Sequence, residues 1–376
     1  MPGRPTDHAN LDLNQFNLDV AKGRANGRIL WQPRMGCWIG ERRFRGEKLP
    51  EPYETMTWQD IHRNLAISAR LYNFGEAIRS HEHPDVRITR RDLNQTDYEV
   101  LTQTPVGDQR ALYRKSPNSV WHMPLKWPVS SDQEMKVAAW RERNTTWSWD
   151  QGAYDRNLAE TGDLGAPGVI IHRTSVQKLY VEDMGPEEAI YAMIDYPATC
   201  EAYFEAMAVS QERMIEVINA SPIELVNFGD NVHSGTLTPE WFKKYVLPVY
   251  QRRCELLHKA GKFVTAHWDG DCKPLLQYAQ ETGLDGIEAI TPAPQGDVTL
   301  EEVKAGLGEM WLVDGIPAIY FDSTFSEQTL LDCAKKCLDL FAPHIILGIS
   351  DEISYTGDVE RIRLVGKLVD DYNAAR

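Results

Sequence analysis

From about residue 167 onward, short apolar runs alternate with stretches of helical spacing. The runs are 167–171 (APGVI), 223–228 (IELVNF), 263–266 (FVTA), 286–290 (GIEAI), 311–313 (WLV) and 345–349 (IILGI). Each is short enough to be a buried parallel strand, and each is followed by a helix-like segment, which is the repeated βα pattern. Helix punctuation supports this. Thr238 is placed to cap a helix with Pro239 at its first position, and apolar Tyr245, Leu247, Tyr250 and Leu256 continue it to a stop at Gly261. A second helix opens at Thr299 with Glu301 and Glu302 in its first turn. Adding a strand at Ile29–Leu30–Trp31 and one more in the N-terminal half makes eight βα units, so the expected fold is α/β, a (β/α)8 TIM-type barrel. A doubly wound sheet is the alternative.

The first part of the chain has a different pattern. Residues 1–28 are polar, with Gly23 and Asn26–Gly27 as turn signals, and predict an extended N-terminal arm. Apolar Ile61, Leu65, Ile67 and Leu71 predict a helix over 57–72. Residues 86–128 alternate polar with apolar or aromatic positions around TPVGD, which predicts an inserted antiparallel hairpin. Helices follow over 131–143 and 149–161. The expected organisation is an arm, 1–28, and a single barrel domain, 29–376, carrying the hairpin insertion.

Composition narrows the function classes. The 376 residues are 42% hydrophobic and 25% charged, the profile of a globular enzyme rather than a disordered or fibrous chain. The net charge of -15 is unevenly spread: residues 1–150 hold 22 basic and 19 acidic side chains, the remainder 18 and 36. The one basic cluster, Arg42, Arg43 and Arg45, is short and flanked by Glu41 and Glu47, so no nucleic-acid partner is expected. No apolar run is long enough for a membrane span and no signal-peptide core precedes residue 28, so a cytoplasmic protein is expected. Six cysteines without a CxxC pair fit a reducing compartment. Eleven tryptophans are many, and eight of them fall before residue 150, either as core packing or as walls for a planar ligand.

In a barrel of this type the site forms at the C-terminal strand ends. There the sequence places Asp230, Asn231 and His233 after VNF, His267 and Asp269 after FVTA, Glu288 within GIEAI, Asp314 after WLV, and Asp351 after ILGIS. His267 and Asp269 are two apart, so an extended strand end points both the same way. Glu288 between apolar neighbours must be paired, protonated or metal-bound. Histidine with carboxylates suits Zn2+ as a Lewis acid. Equally, His267 can be a hydrogen-bonded strand-end residue, Asp269 a turn residue before Gly270, and Glu288 a partner for a barrel arginine or lysine. His233 is a candidate general base and Asp230 a candidate turn acceptor.

The stretch FGDNVHSGTLTPEWFKKYVLPVYQRRCELLHKAGKFVTAHWDGDCKPLLQYAQETGLDGIEAI, followed by DVTLEEVKAGLGEMWLVDGI, resembles the uroporphyrinogen decarboxylase superfamily over most of 165–376. In its decarboxylases, which use no metal, N-terminal arginines bind a polycarboxylate porphyrinogen. Here Arg34 is kept, but Met35–Gly36–Cys37 stands where a second arginine is expected. In its zinc methyltransferases the motif is H-x-C, an acid one strand on, and a late Cys. His267 and Glu288 match, whereas Asp269 and the Ser350–Asp351 region replace the thiols. The resemblance is closest to O-demethylase methyltransferases, which pass a methyl group from a methoxylated aromatic to cob(I)alamin on a corrinoid protein.

This implies zinc held by His267, Asp269, Glu288 and Asp351. It also implies catalytic roles for His267, Glu288, Asp230 and His233, and a substrate pocket including Trp31, Arg34, Trp38, Trp121 and Asn231. The cobalamin would arrive on a partner protein, since this chain has no D-x-H-x-x-G signature. A homodimer is left open. The alternative is a metal-free decarboxylase.

Overall fold

The computed structural model describes residues 11–117 and 119–376. Seven parallel strands curl into one sheet: β1 (Leu30–Trp31), β2 (Gly168–Ile171), β3 (Leu225–Phe228), β4 (Phe263–His267), β5 (Gly286–Glu288), β6 (Trp311–Pro317) and β7 (Ile345–Ser350). Their order is β1-β7-β6-β5-β4-β3-β2, so sequence neighbours lie side by side, as right-handed βα crossovers require. This is the TIM-type architecture predicted from the apolar runs.

The eighth position is filled by an irregular stave, residues 68–72. Ser68 N–H donates to Trp31 O (3.1 Å) and Ala69 N–H to Leu164 O (2.7 Å), while Gly168 N–H donates to Leu71 O (2.9 Å). Gly165 permits this closure, because a Cβ there would stand 2.1 Å from Ala69 O. The predicted helix over 57–72 is therefore shorter. It runs Trp58–Leu65 behind a Thr57/Asp60 capping box and stops at Ala66 in the left-handed region. Ile67 and Leu71 are buried, but in the stave rather than on a helix face.

Two other expectations change. Within the predicted extended arm, 1–28, Leu13–Ala21 is a helix capped by Asp12. Its Leu13, Phe16 and Val20 pack with Leu30, Val313 and Ile346. Residues 1–10 lie outside the described residues. The predicted hairpin is a four-stranded antiparallel meander (Arg87–Asp92, Asp97–Thr104, Gly107–Lys115, His122–Lys126). Only its inner pair has a partly buried face. The strand 87–92 is exposed throughout, so nothing in its composition separates it from loop. A two-stranded stem, Ile78–His81 with Thr146–Trp149, leads into and out of this insertion. No helix among the described residues is long and apolar enough to cross a membrane.

Candidate active site

The barrel interior at the C-terminal strand ends is built around charge. Glu288 ends β5 opposite His267 on β4 in the strand register, and its side chain is 1% exposed. A bare carboxylate there would cost several kcal/mol, roughly, so partners must converge on it. Arg70 Nη1 donates to it at 3.1 Å, Tyr72 Oη at 2.5 Å and Asn227 Nδ2 at 2.5 Å. Arg34 Nη1 stands 3.5 Å away and His267 Nδ1 3.6 Å away.

Arg70 also grips Asp314 on β6 with both terminal nitrogens, at 2.9 and 2.7 Å, and its Nε donates to Gln32 Oε1 at 3.2 Å. Asp314 holds a backbone φ of 87°, a strained value for a non-glycine residue, which this bidentate pair helps maintain. Gly348 on β7 leaves the room: a Cβ there would stand 2.2 Å from Asp314 Oδ1. Arg34, the second cation, pairs with Asp351 and with Glu352 (2.9 Å). Glu352 also accepts from the Cys37 N–H (2.6 Å) at the start of the helix Gly36–Phe44, where a carboxylate meets the positive end of the helix.

The titration behaviour follows from these contacts. Burial alone would lower the His267 pKa, but Glu288, with Asp351 and Asp269 beyond it, holds the ring above the ordinary histidine value. Burial opposes ionisation of Glu288, yet Arg70, His267 and Arg34 hold its carboxyl well below the usual range. Asp314 is pushed up to about 6, by burial first and with Glu288 adding to it, even against Arg70. Burial and Glu352 push the Cys37 thiol up to about 12, and burial with Asp297 does the same for Cys272, so neither is a thiolate nucleophile.

The donor set does not fit the zinc site expected from the sequence. Glu288 and Asp351 are already neutralised by two guanidinium groups, and a dication placed among them would meet Arg34 and Arg70 at close range. Asp269 turns instead to Asn231, whose Nδ2 donates to its Oδ2 at 3.1 Å. Among the described residues no three His, Cys, Asp or Glu side chains are grouped so as to hold a metal ion.

Beside this centre lies a cavity of about 320 Å³, lined by polar Arg173, Gln177, Asn231, His233, Thr236 and Asp269 together with Tyr180, Val181 and Pro186. Asn231 and His233 line this cavity. Asp230 does not: it is fully buried and accepts the Thr174 backbone N–H, a structural peg under the loop. The expected tryptophan walls are also absent from it. Trp31 and Trp38 are core residues, 0% exposed, their indole N–H groups donating to the carbonyls of Ile362 and Gly357. Trp121 is 76% exposed on the inserted sheet. Conversely, Arg70, Tyr72, Asn227, Arg173 and Gln177 escaped the sequence reading. A lone Arg in ISARLY and a lone Asn in IELVNF were the available signals, polar groups inside apolar runs that must find a buried partner.

The sequence model described as Uroporphyrinogen decarboxylase (URO-D) matches residues 180–367, half of the chain. The chain belongs to the uroporphyrinogen decarboxylase family. Among solved structures, a methyltransferase from Methanosarcina mazei superposes with a TM-score of 0.57 at 12% identity, covering 96% of this chain and 98% of that one. This agreement shows the shared barrel. A putative vitamin-B12 independent methionine synthase from Listeria monocytogenes, also 12% identical, reaches a TM-score of 0.41 over 92% of this chain and 96% of that one, too low to carry an argument. Curated protein sequences provide no match. The URO-D match spans the strands that bring His267, Glu288, Asp314 and Asp351 together, whereas Arg34 and Arg70 come from the N-terminal segment outside it.

Proposed function

We propose that this chain is a methyltransferase of the URO-D family that takes the methyl group of a methyl ether, with acid assistance from the His267–Glu288 pair. The observation that carries this reading is an arginine-clamped carboxylate facing His267, two residues before the Asp269 that lines the neighbouring cavity. An ether carbon is inert because its oxygen leaves poorly, and a proton delivered to that oxygen lowers the barrier. Nδ1 of His267 faces Glu288, so Nε2 is the ring nitrogen that passes the proton to the departing oxygen. Glu288 stabilises the charged ring, and Arg70, Tyr72 and Asn227 keep Glu288 in place. A corrinoid carried by a partner protein would supply the nucleophile that accepts the methyl group. The methyltransferase name of the Methanosarcina mazei structure supports this choice within the family.

The decarboxylase alternative would need cations free to bind a polycarboxylate. Arg34 and Arg70 are spent on Glu288, Asp314, Asp351 and Glu352, and Arg173 at the cavity pairs with Glu182 at 2.9 Å. The test is methyl transfer from a panel of methoxylated aromatics to free cob(I)alamin, followed by absorbance. Transfer is expected without added zinc and is lost in His267→Gln. Release of CO2 from porphyrinogens with no methylated corrinoid from any ether would overturn the reading.

A further inference from the structure

The inserted antiparallel sheet carries an apolar surface that no other described part of the chain covers. Of the thirteen large hydrophobic side chains exposed among the described residues, seven lie on its strands and turns between 88 and 125. Three of these follow one another along its last strand, where Trp121 is 76% exposed, Met123 53% and Leu125 44%. That strand, His122–Lys126, stands at the edge of the four-stranded order and pairs on one side only. Single exposed apolar residues need no explanation, but a row of them on an open sheet edge marks a surface that another molecule covers.

A second apolar patch adjoins it. On the helix Pro186–Asp195, Tyr191 and Ile194 are 54% and 65% exposed and, three residues apart, share a face. Exposed Glu187, Glu188 and Asp195 surround them and take part in no ion pair among the described residues. The Val129 N–H donates to Asp183 O at 2.9 Å, and a Cβ on Gly185 would stand 2.7 Å from Trp127 Nε1, so the end of the edge strand abuts the start of this helix.

The two patches carry opposite charge. Residues 87–126 hold seven basic and four acidic side chains, whereas the other residues hold 33 and 51. The helix holds three acids and no base. Each patch is therefore complementary to the other and not to itself. An acidic partner of another kind would suit the sheet and be repelled by the helix, and a basic one the reverse. A second copy of the chain offers both complements. A two-fold axis through the junction of strand and helix sets the strand of each copy on the helix of the other, so that one contact is made twice and the interface closes.

We infer that this surface binds a second copy of the chain, in a two-fold dimer whose Trp121–Leu125 edge packs on the partner's Pro186–Asp195 helix. Val181 and Pro186 line the barrel-mouth cavity, so the interface lies at its rim. The inference stands on the exposed surface and its charge, independently of the methyl-transfer reading.

The experiment is sedimentation velocity of the full chain up to about 100 μM. The expected species is a dimer, twice the 42.8 kDa of one chain. Its dissociation constant should rise at least fivefold between low and high salt, since exposed charges are screened. Trp121→Ser with Met123→Thr, and separately Tyr191→Gln with Ile194→Gln, should each weaken the dimer at least tenfold while leaving the thermal melt in place, all four positions being exposed. An equimolar mixture of the two double variants should associate more tightly than either alone, because the mixed pair keeps one contact intact in both halves. That gain is absent from a strand-to-strand or helix-to-helix dimer. A monomer at every concentration, which would assign the surface to a different partner, would overturn the inference. So would a dimer that strengthens in salt, one indifferent to either pair of substitutions, or a mixture no tighter than its components.

Discussion

Replacing Arg70 by Leu tests the central claim that one cation holds the barrel mouth together. The variant strips Asp314 of the bidentate donor at 2.9 and 2.7 Å, while Glu288 keeps Arg34 at 3.5 Å. Asp314, 0% exposed, must then either stay charged and unpaired or take up a proton. Breaking a buried pair costs about 3–5 kcal/mol. Protonation caps the charge-dependent part: Asp314 already stands at about 6 with Arg70 in place, so holding it neutral at pH 7 costs the variant one further pH unit, about 1.4 kcal/mol. The sign is fixed by the folded pKa lying above the unfolded one. That part is close to zero at pH 5, where Asp314 already carries its proton, and grows as pH rises past about 6. Urea unfolding at pH 7 and pH 5, read by tryptophan fluorescence, measures both values, provided the denaturant slope is unchanged. In an Asp314→Asn background the same replacement should cost less than about 2 kcal/mol. A penalty that is the same at both pH values, or undiminished in that background, would refute the reasoning.

Four further outcomes follow from the geometry. Gly348→Ala, which sets a Cβ 2.2 Å from Asp314 Oδ1, should destabilise by about 1–3 kcal/mol in the same unfolding assay. Gly40→Ala, on an open helix face with no atom within 4 Å, should be neutral or stabilise by up to about 1 kcal/mol. Methyl transfer should decline as pH rises past the elevated His267 pKa. Glu288→Gln, which removes the charge sustaining that elevation, should move the decline to lower pH in the pH–rate profile. Trp38→Ala should cost about 3–5 kcal/mol and Trp121→Ser less than about 0.5 kcal/mol, the first being fully buried and the second 76% exposed.

The sequence by itself determined the barrel, because each core strand of a parallel sheet is buried on both faces and so appears as an uninterrupted apolar run. It also determined which strand ends bear polar groups, and His267, Glu288, Asn231 and His233 were found that way. Only the tertiary structure decided what those groups do. Arg70 lies 218 residues from Glu288 and on an irregular stave with no period of its own, so no local pattern could pair them. That pairing turned an apparent metal-binding set into an ion network, since a carboxylate's role depends on the charge brought to it and not on its neighbours in the chain. Trp31 and Trp38 show the same division. Their abundance was visible in the composition, but whether a tryptophan walls a pocket or fills a core depends on which surfaces close over it, and here helix and barrel closed over both.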